Sequence, residues 1–87
     1  SKEYKKYFHS GEINFKVKDQ QEVLQNIENK YKNCKIEKID GLSVYCDKWW
    51  FNVRLSNTEP LLRLNLEADN KELMNEKIEE VKGIIEQ

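Results

Sequence analysis

The residues best suited to chemistry are Arg54, Ser56, Asn57, Thr58 and Arg63, all within the stretch FNVRLSNTEPLLRL from Phe51 to Leu64. Two alternating runs flank Ser56-Asn57-Thr58-Glu59-Pro60 and read as the strands of a hairpin. Side chains alternate across a strand, so Phe51, Val53 and Leu55 share one face and Trp50, Asn52 and Arg54 the other. In the second strand Leu62, Leu64, Leu66 and Ala68 oppose Leu61, Arg63, Asn65 and Glu67. With the leucines facing the core, Arg54 and Arg63 both point away from it, roughly opposite each other. Like charges across a sheet repel, so an anion between them would explain the pair. Arginine grips phosphate oxygens in a two-pronged fork. Ser56 and Thr58 add hydroxyl donors, and a left-handed Asn57 would let successive N–H groups converge. The same residues also suit a plain polar turn, its arginines paired with Glu59 and Glu67.

The elements that must hold this hairpin follow from hydrophobic period. Ile13, Phe15 and Val17 alternate with polar neighbours as a half-buried strand. Asp19 with Glu22 three residues on is a capping-box signature. Beyond it Val23, Leu24, Ile27 and Tyr31 form one helical stripe to about Lys32. Asp40-Gly41 marks a hairpin ahead of Leu42, Val44 and Cys46, and a tight turn near Asp47-Lys48 leads into WWFNVRL. A last helix spans Lys71 to Glu86, with Met74, Ile78, Val81 and Ile85 inward and Gly83 a weak point. The expected order is β-α-β-β-β-β-α. It describes an α+β domain, an antiparallel sheet with two helices on one face.

Length and composition agree. Eighty-seven residues make one small domain with a thin core. Fifteen basic and sixteen acidic side chains leave a net charge of -1, which disfavours general nucleic-acid or membrane-surface binding but permits one local anion site. Trp49, Trp50 and Tyr45 could stack on bases; in a chain without basic excess they read instead as one Trp in the core and one against a neighbouring domain. Cys34 and Cys46 lack metal-ligand spacing and read as reduced thiols of a cytoplasmic protein, with a lone disulfide between them as the alternative that nothing in the sequence requires. No apolar run approaches the ~20 residues that span a membrane. Lys2, Lys5 and Lys6 read as a solvated cluster, and His9 as a linker residue rather than a base.

The stretch RLSNTEP resembles the R-P-S-N-T-E-P phosphate-binding loop of the α-D-phosphohexomutases, in the phosphomannomutase/phosphoglucomutase branch. YFHSGEIN, DGLSVYCDKWWFNVR and EPLLRLNLEA resemble the segments around it, so the likeness runs from Tyr7 to the C-terminus. It implies the fourth, C-terminal domain of such an enzyme, with a TATA-binding-protein-like β-α-β(4)-α fold over residues 11–87. Residues 1–10 would be an interdomain hinge. It further implies that Arg54, Ser56, Asn57, Thr58 and Arg63 bind the non-transferred phosphate while 6-phospho and 1-phospho sugars interconvert. Leu55 departs from the family's Pro or Ala and points coreward. The phosphoserine loop, the magnesium loop and the sugar-reading loop of the family have no counterpart here. The resemblance therefore implies no catalytic or metal residue in this domain, inactivity of the isolated chain, and magnesium in the full-length enzyme. Its partners would be the preceding domains and a mannose or glucose phosphate, with no nucleic acid and no membrane. A stand-alone interaction module of the same fold is the alternative.

Overall fold

The alternation of Ile13, Phe15 and Val17 becomes a strand because only that spacing buries all three on one side. In the computed structural model, which describes residues 6–87, the strands are β1 (Phe8–His9), β2 (Ile13–Lys16), β3 (Lys35–Glu37), β4 (Leu42–Cys46), β5 (Trp49–Leu55) and β6 (Leu61–Ala68). The helices are α1 (Gln20–Lys30) and α2 (Lys71–Ile85). The sheet is antiparallel, in the order β1-β6-β5-β4-β3, with β2 beside β1 on the same edge of β6. β3 to β6 form the expected meander. The β-α-β(4)-α arrangement is present with one addition, the two-residue β1.

β1 lies in the segment read from sequence as linker. Phe8 pairs with Ala68 and His9 with Glu67, and the Ser10 N–H bonds the Leu66 carbonyl at 2.8 Å. The register then slips by one residue before Ile13 meets Leu64, so Ser10 to Glu12 form a bulge. Gly11, at φ 74°, supplies the backbone that this bulge needs. His9 is exposed, and its Nδ1 accepts from the Gly11 N–H at 2.9 Å. Two residues of such length carry too little hydrophobic pattern to be read as a strand. Lys6 is exposed; Lys2, Lys5 and the first half of the 1–10 segment lie outside the described residues.

Both helices start at caps. The Asp19 carboxylate accepts from the Glu22 N–H at 3.0 Å, and Asn70 accepts from the Leu73 N–H at 2.8 Å. Their inner stripes, Val23 and Ile27 on α1 and Val81, Ile84 and Ile85 on α2, cover one face of the sheet. From the sheet come Phe15, Val44, Phe51, Val53, Leu62, Leu64, Leu66 and Ala68. Each large member adds roughly 1.5–3 kcal/mol by leaving water. No helix among the described residues is long and apolar enough to cross a membrane.

The opposite face of the sheet carries no helix among the described residues. Its side chains fall in rows across paired strands. Tyr45, Trp50 and Glu67 lie in register at one end, Ser43, Asn52 and Asn65 in the middle, and Arg54 with Arg63 at the other end. Trp49 is buried and stacks on Phe51, with ring centroids 5.6 Å apart. Trp50 is half-buried on the open face, where the Tyr7 ring meets it edge-on at 4.8 Å.

Candidate functional site

The β5–β6 hairpin places its arginines as parity requires. Arg54 is the direct register partner of Arg63, and both are exposed on the open face. Leu55 turns coreward against Leu62. Neither arginine bridges to Glu59 or Glu67 among the described residues. Arg54 reaches Asp40 instead, Nη2 to Oδ1 at 3.8 Å and Nε to the carbonyl at 3.5 Å. Both side chains of that pair are more than half exposed, at 57% and 77%. At such distances and exposure the pair contributes ~0–1 kcal/mol. The Arg63 side chain has no hydrogen bond or ion pair within the described residues. The like-charge pair is thus left with one weak internal counter-ion.

Asp40 arrives there because of its neighbour. Gly41 sits at φ 80° with its α-carbon against the Val53 carbonyl, which a Cβ would strike. The β3–β4 loop is longer than a two-residue turn, running from Glu37 to its partner Ser43. It lies along β5, where the Asp40 carbonyl also accepts from Asn52 Nδ2 at 2.8 Å. The Asp-Gly pair marks the hairpin in sequence but does not reveal that its aspartate meets Arg54.

The loop closes by backbone bonds. The Ser56 N–H donates to the Leu61 carbonyl at 3.0 Å, and the Leu61 N–H donates to the Glu59 carbonyl at 2.7 Å. Ser56 Oγ accepts from the N–H groups of Thr58 and Glu59, at 3.4 and 3.3 Å. One expectation is corrected here. Asn57 does not take the left-handed conformation, since Lys48 is the one non-glycine residue with positive φ among the described residues. The N–H groups converge all the same, on the Ser56 hydroxyl oxygen, which replaces the left-handed residue as the organiser. Those bonds are long and therefore weak. The Ser56 hydroxyl proton stays available, because a hydroxyl can accept twice and still donate.

The five residues named from sequence share the end of one hairpin but not one hollow. Ser56, Asn57 and Thr58 line a cleft of about 360 Å³ with Lys18 and Gln20. Arg54 and Arg63 line a larger groove of about 1080 Å³ that runs past Asp40 and Lys38 to Gln25 and Leu24 on α1. Arg54 and Ser56 are two positions apart on an extended strand, about 7 Å. Sequence reasoning missed Lys18 and Gln20 as neighbours of the loop. Gln20 Nε2 donates to the carbonyls of Leu61 at 3.1 Å and Glu59 at 3.4 Å. These partners are 41 and 39 residues away, and no local pattern marks such a contact.

The other end of the sheet holds a different kind of polar cluster. Tyr31 Oη donates to Glu80 Oε2 at 2.5 Å, and Lys77 Nζ donates to Glu80 Oε1 at 3.0 Å while lying 5.1 Å from the Trp49 ring centre. Burial and then the bond to Glu80 push the Tyr31 hydroxyl far above its usual range. Burial pushes the Glu80 carboxyl up, but the bonds from Tyr31 and Lys77 together outweigh it and hold the carboxyl below its ordinary value. Cys34 and Cys46 are free thiols, and burial, followed by the bond to Cys34, raises Cys46 to about 12. No group of three or more His, Cys, Asp or Glu among the described residues could hold a metal ion.

Comparison with known proteins gives a consistent result. Residues 12–84 match the family model described as phosphoglucomutase/phosphomannomutase, C-terminal domain. A phosphomannomutase of Methanocaldococcus jannaschii is 59% identical over 85 residues, covering 98% of this chain and 19% of that protein. A phosphomannomutase of Vibrio cholerae is 48% identical over 79 residues, or 87% of this chain and 17% of its own length. A probable phosphoglucosamine mutase of Pyrococcus furiosus is 39% identical over 65 residues, 75% of this chain and 14% of that protein. The chain spans about a fifth of the length of the curated relatives it matches.

Proposed function

This chain belongs to the phosphoglucomutase/phosphomannomutase C-terminal domain family, and from that premise we propose that its β5–β6 hairpin binds the non-transferred phosphate of a hexose phosphate. Arg54 and Arg63 supply charge, and Ser56, Asn57 and Thr58 supply donors. The carrying observation is the direct Arg54–Arg63 register pair, whose single internal counter-ion is a weak contact to Asp40. Two or three charge-assisted bonds of about 1.5–3 kcal/mol each would hold the phosphate. The chemistry asked of this domain is positioning and charge stabilisation. It holds one end of the sugar phosphate while 6-phospho and 1-phospho forms interconvert elsewhere.

The phosphoserine that exchanges phosphate, and the magnesium beside it, belong in this reading to other domains of a longer cytoplasmic enzyme. The isolated chain is then inactive. The hinge about which residues 11–87 release the product is expected within residues 1–10, ahead of Phe8 and His9, which pair with β6 and move with the domain. The reading is tested by grafting the chain in place of the matching region of the M. jannaschii phosphomannomutase. The graft should interconvert mannose 1- and 6-phosphate, and Arg54→Ala within it should lower kcat/KM by about a hundredfold, the loss of roughly 3 kcal/mol. A folded graft that is as active with Arg54→Ala as without it would overturn the proposal.

A further inference from the structure

We propose that Gln20 is a positioning residue for the phosphate site, its side-chain amide tying the β5–β6 loop to the first turn of α1. The inference rests on the phosphate reading given above and adds a residue outside the loop. The Gln20 amide nitrogen carries two hydrogens, and both have a carbonyl within reach, Leu61 at 3.1 Å and Glu59 at 3.4 Å. Between these lies Pro60, whose carbonyl accepts from the Val17 N–H at 2.9 Å. The successive carbonyls of Glu59, Pro60 and Leu61 therefore all accept from Val17 or Gln20, and those of Glu59 and Leu61 also accept from the hairpin's own N–H groups. None of them is free to turn toward an incoming anion and repel it.

The tether adds order from outside the hairpin, beyond the backbone bonds that close the loop at Ser56 and Leu61. Asn57, Thr58, Glu59 and Pro60 are exposed, and the two bonds to Ser56 Oγ are long. Ordering such residues on binding opposes affinity, and holding them beforehand removes that opposition. Gln20 is well placed to hold them. It opens a helix already fixed by the Asp19 cap, and it lines the same cleft as Ser56, Asn57 and Thr58. Gln21 lines that cleft too but its side chain makes no hydrogen bond among the described residues, so it serves as the control.

The test is a titration of the isotope-labelled chain with inorganic phosphate at pH 7, together with amide exchange of the free loop and thermal melts. Gln20→Met keeps the length and removes the donor. It should weaken phosphate binding about threefold to tenfold, speed exchange at Ser56 and Leu61, and leave Tm nearly unchanged. Gln20→Glu aims a carboxylate at two carbonyls and should weaken binding further. Gln21→Met should match the parent chain. If Gln20→Met binds phosphate as tightly as the parent, the inference is wrong and the phosphate site stands. A large fall in Tm with Gln20→Met would assign the residue to helix stability and also overturn it. If the parent chain binds no phosphate, the site and the tether both fail.

Discussion

The two ends of the sheet treat charge in opposite ways. At the end where β5 begins, Glu80 is enclosed by Tyr31 and Lys77, and Lys77 lies over Trp49. Lys77 and Glu80 partner each other in the fold, and the titration of both is shifted accordingly. At the end where β5 finishes, Arg54 has one loose counter-ion and Arg63 has none among the described residues. Both regions are polar, yet one packs against the core through Tyr31 and the other presents its chemistry outward. The lesson concerns where a charge is balanced. Internal balance marks a structural cluster, and the weak balance of a directly opposed arginine pair is the observation on which the phosphate proposal rests.

Substitutions should separate the two ends. Tyr31→Ala removes a buried ring at the balanced end and should cost about 3–5 kcal/mol in urea unfolding, a large share of what a domain of this size has. Phosphate binding should survive wherever that variant is folded. Arg54→Ala should do the reverse. Stability should stay within about 0.5 kcal/mol, while phosphate affinity falls by about tenfold or more, a loss of roughly 1.5–3 kcal/mol.

Glu80→Gln should cost about 1–2 kcal/mol at pH 7, with a distinct pH signature. A carboxyl held low by folding contributes stability that is present above its unfolded pKa and lost as pH falls through the folded one. Unfolding midpoints of the parent chain should therefore drop on the acid side, and those of Glu80→Gln should drop less. The alkaline side runs the other way. Cys46, raised from 9.0 to about 12, contributes stability that is complete below 9.0 and fades as pH rises toward 12. Removing the thiol with Cys46→Ala should make that limb shallower, and the part that remains comes from the Tyr31 hydroxyl, which is raised in the same way. The smallest change is a gain. Gly83→Ala sits in an exposed helical position with open space where its methyl would go, and should stabilise the chain by about 1 kcal/mol without touching either end.

The balanced end was the harder one to read from sequence. Tyr31 stands out only as the last apolar residue of a helical stripe, and Glu80 as one of many charges on α2. Their meeting depends on how two helices pack, which no periodicity encodes. The hairpin end was more legible because a strand's parity is set by its two-residue period. That period put Arg54 beside Arg63, turned Leu55 inward and sent the leucines of β6 to the core. What remained hidden there came from distant chain. Asp40 is delivered by the Gly41 contact to Val53, and Gln20 by the packing of α1 beside the loop. β1 was hidden for a third reason, being a two-residue strand beyond a bulge.

The most direct test of the central claim is an NMR titration of the isotope-labelled chain with mannose 1-phosphate and glucose 1-phosphate, following backbone amides and arginine side chains. The account predicts shifts at Arg54, Ser56, Asn57, Thr58 and Arg63, absent at Tyr31, Lys77 and Glu80, with a Kd on the order of millimolar. Those shifts should vanish in Arg54→Ala. A chain that shows no shift up to about 50 mM ligand, far above that Kd, or that responds at the Tyr31–Glu80 end instead, would contradict it.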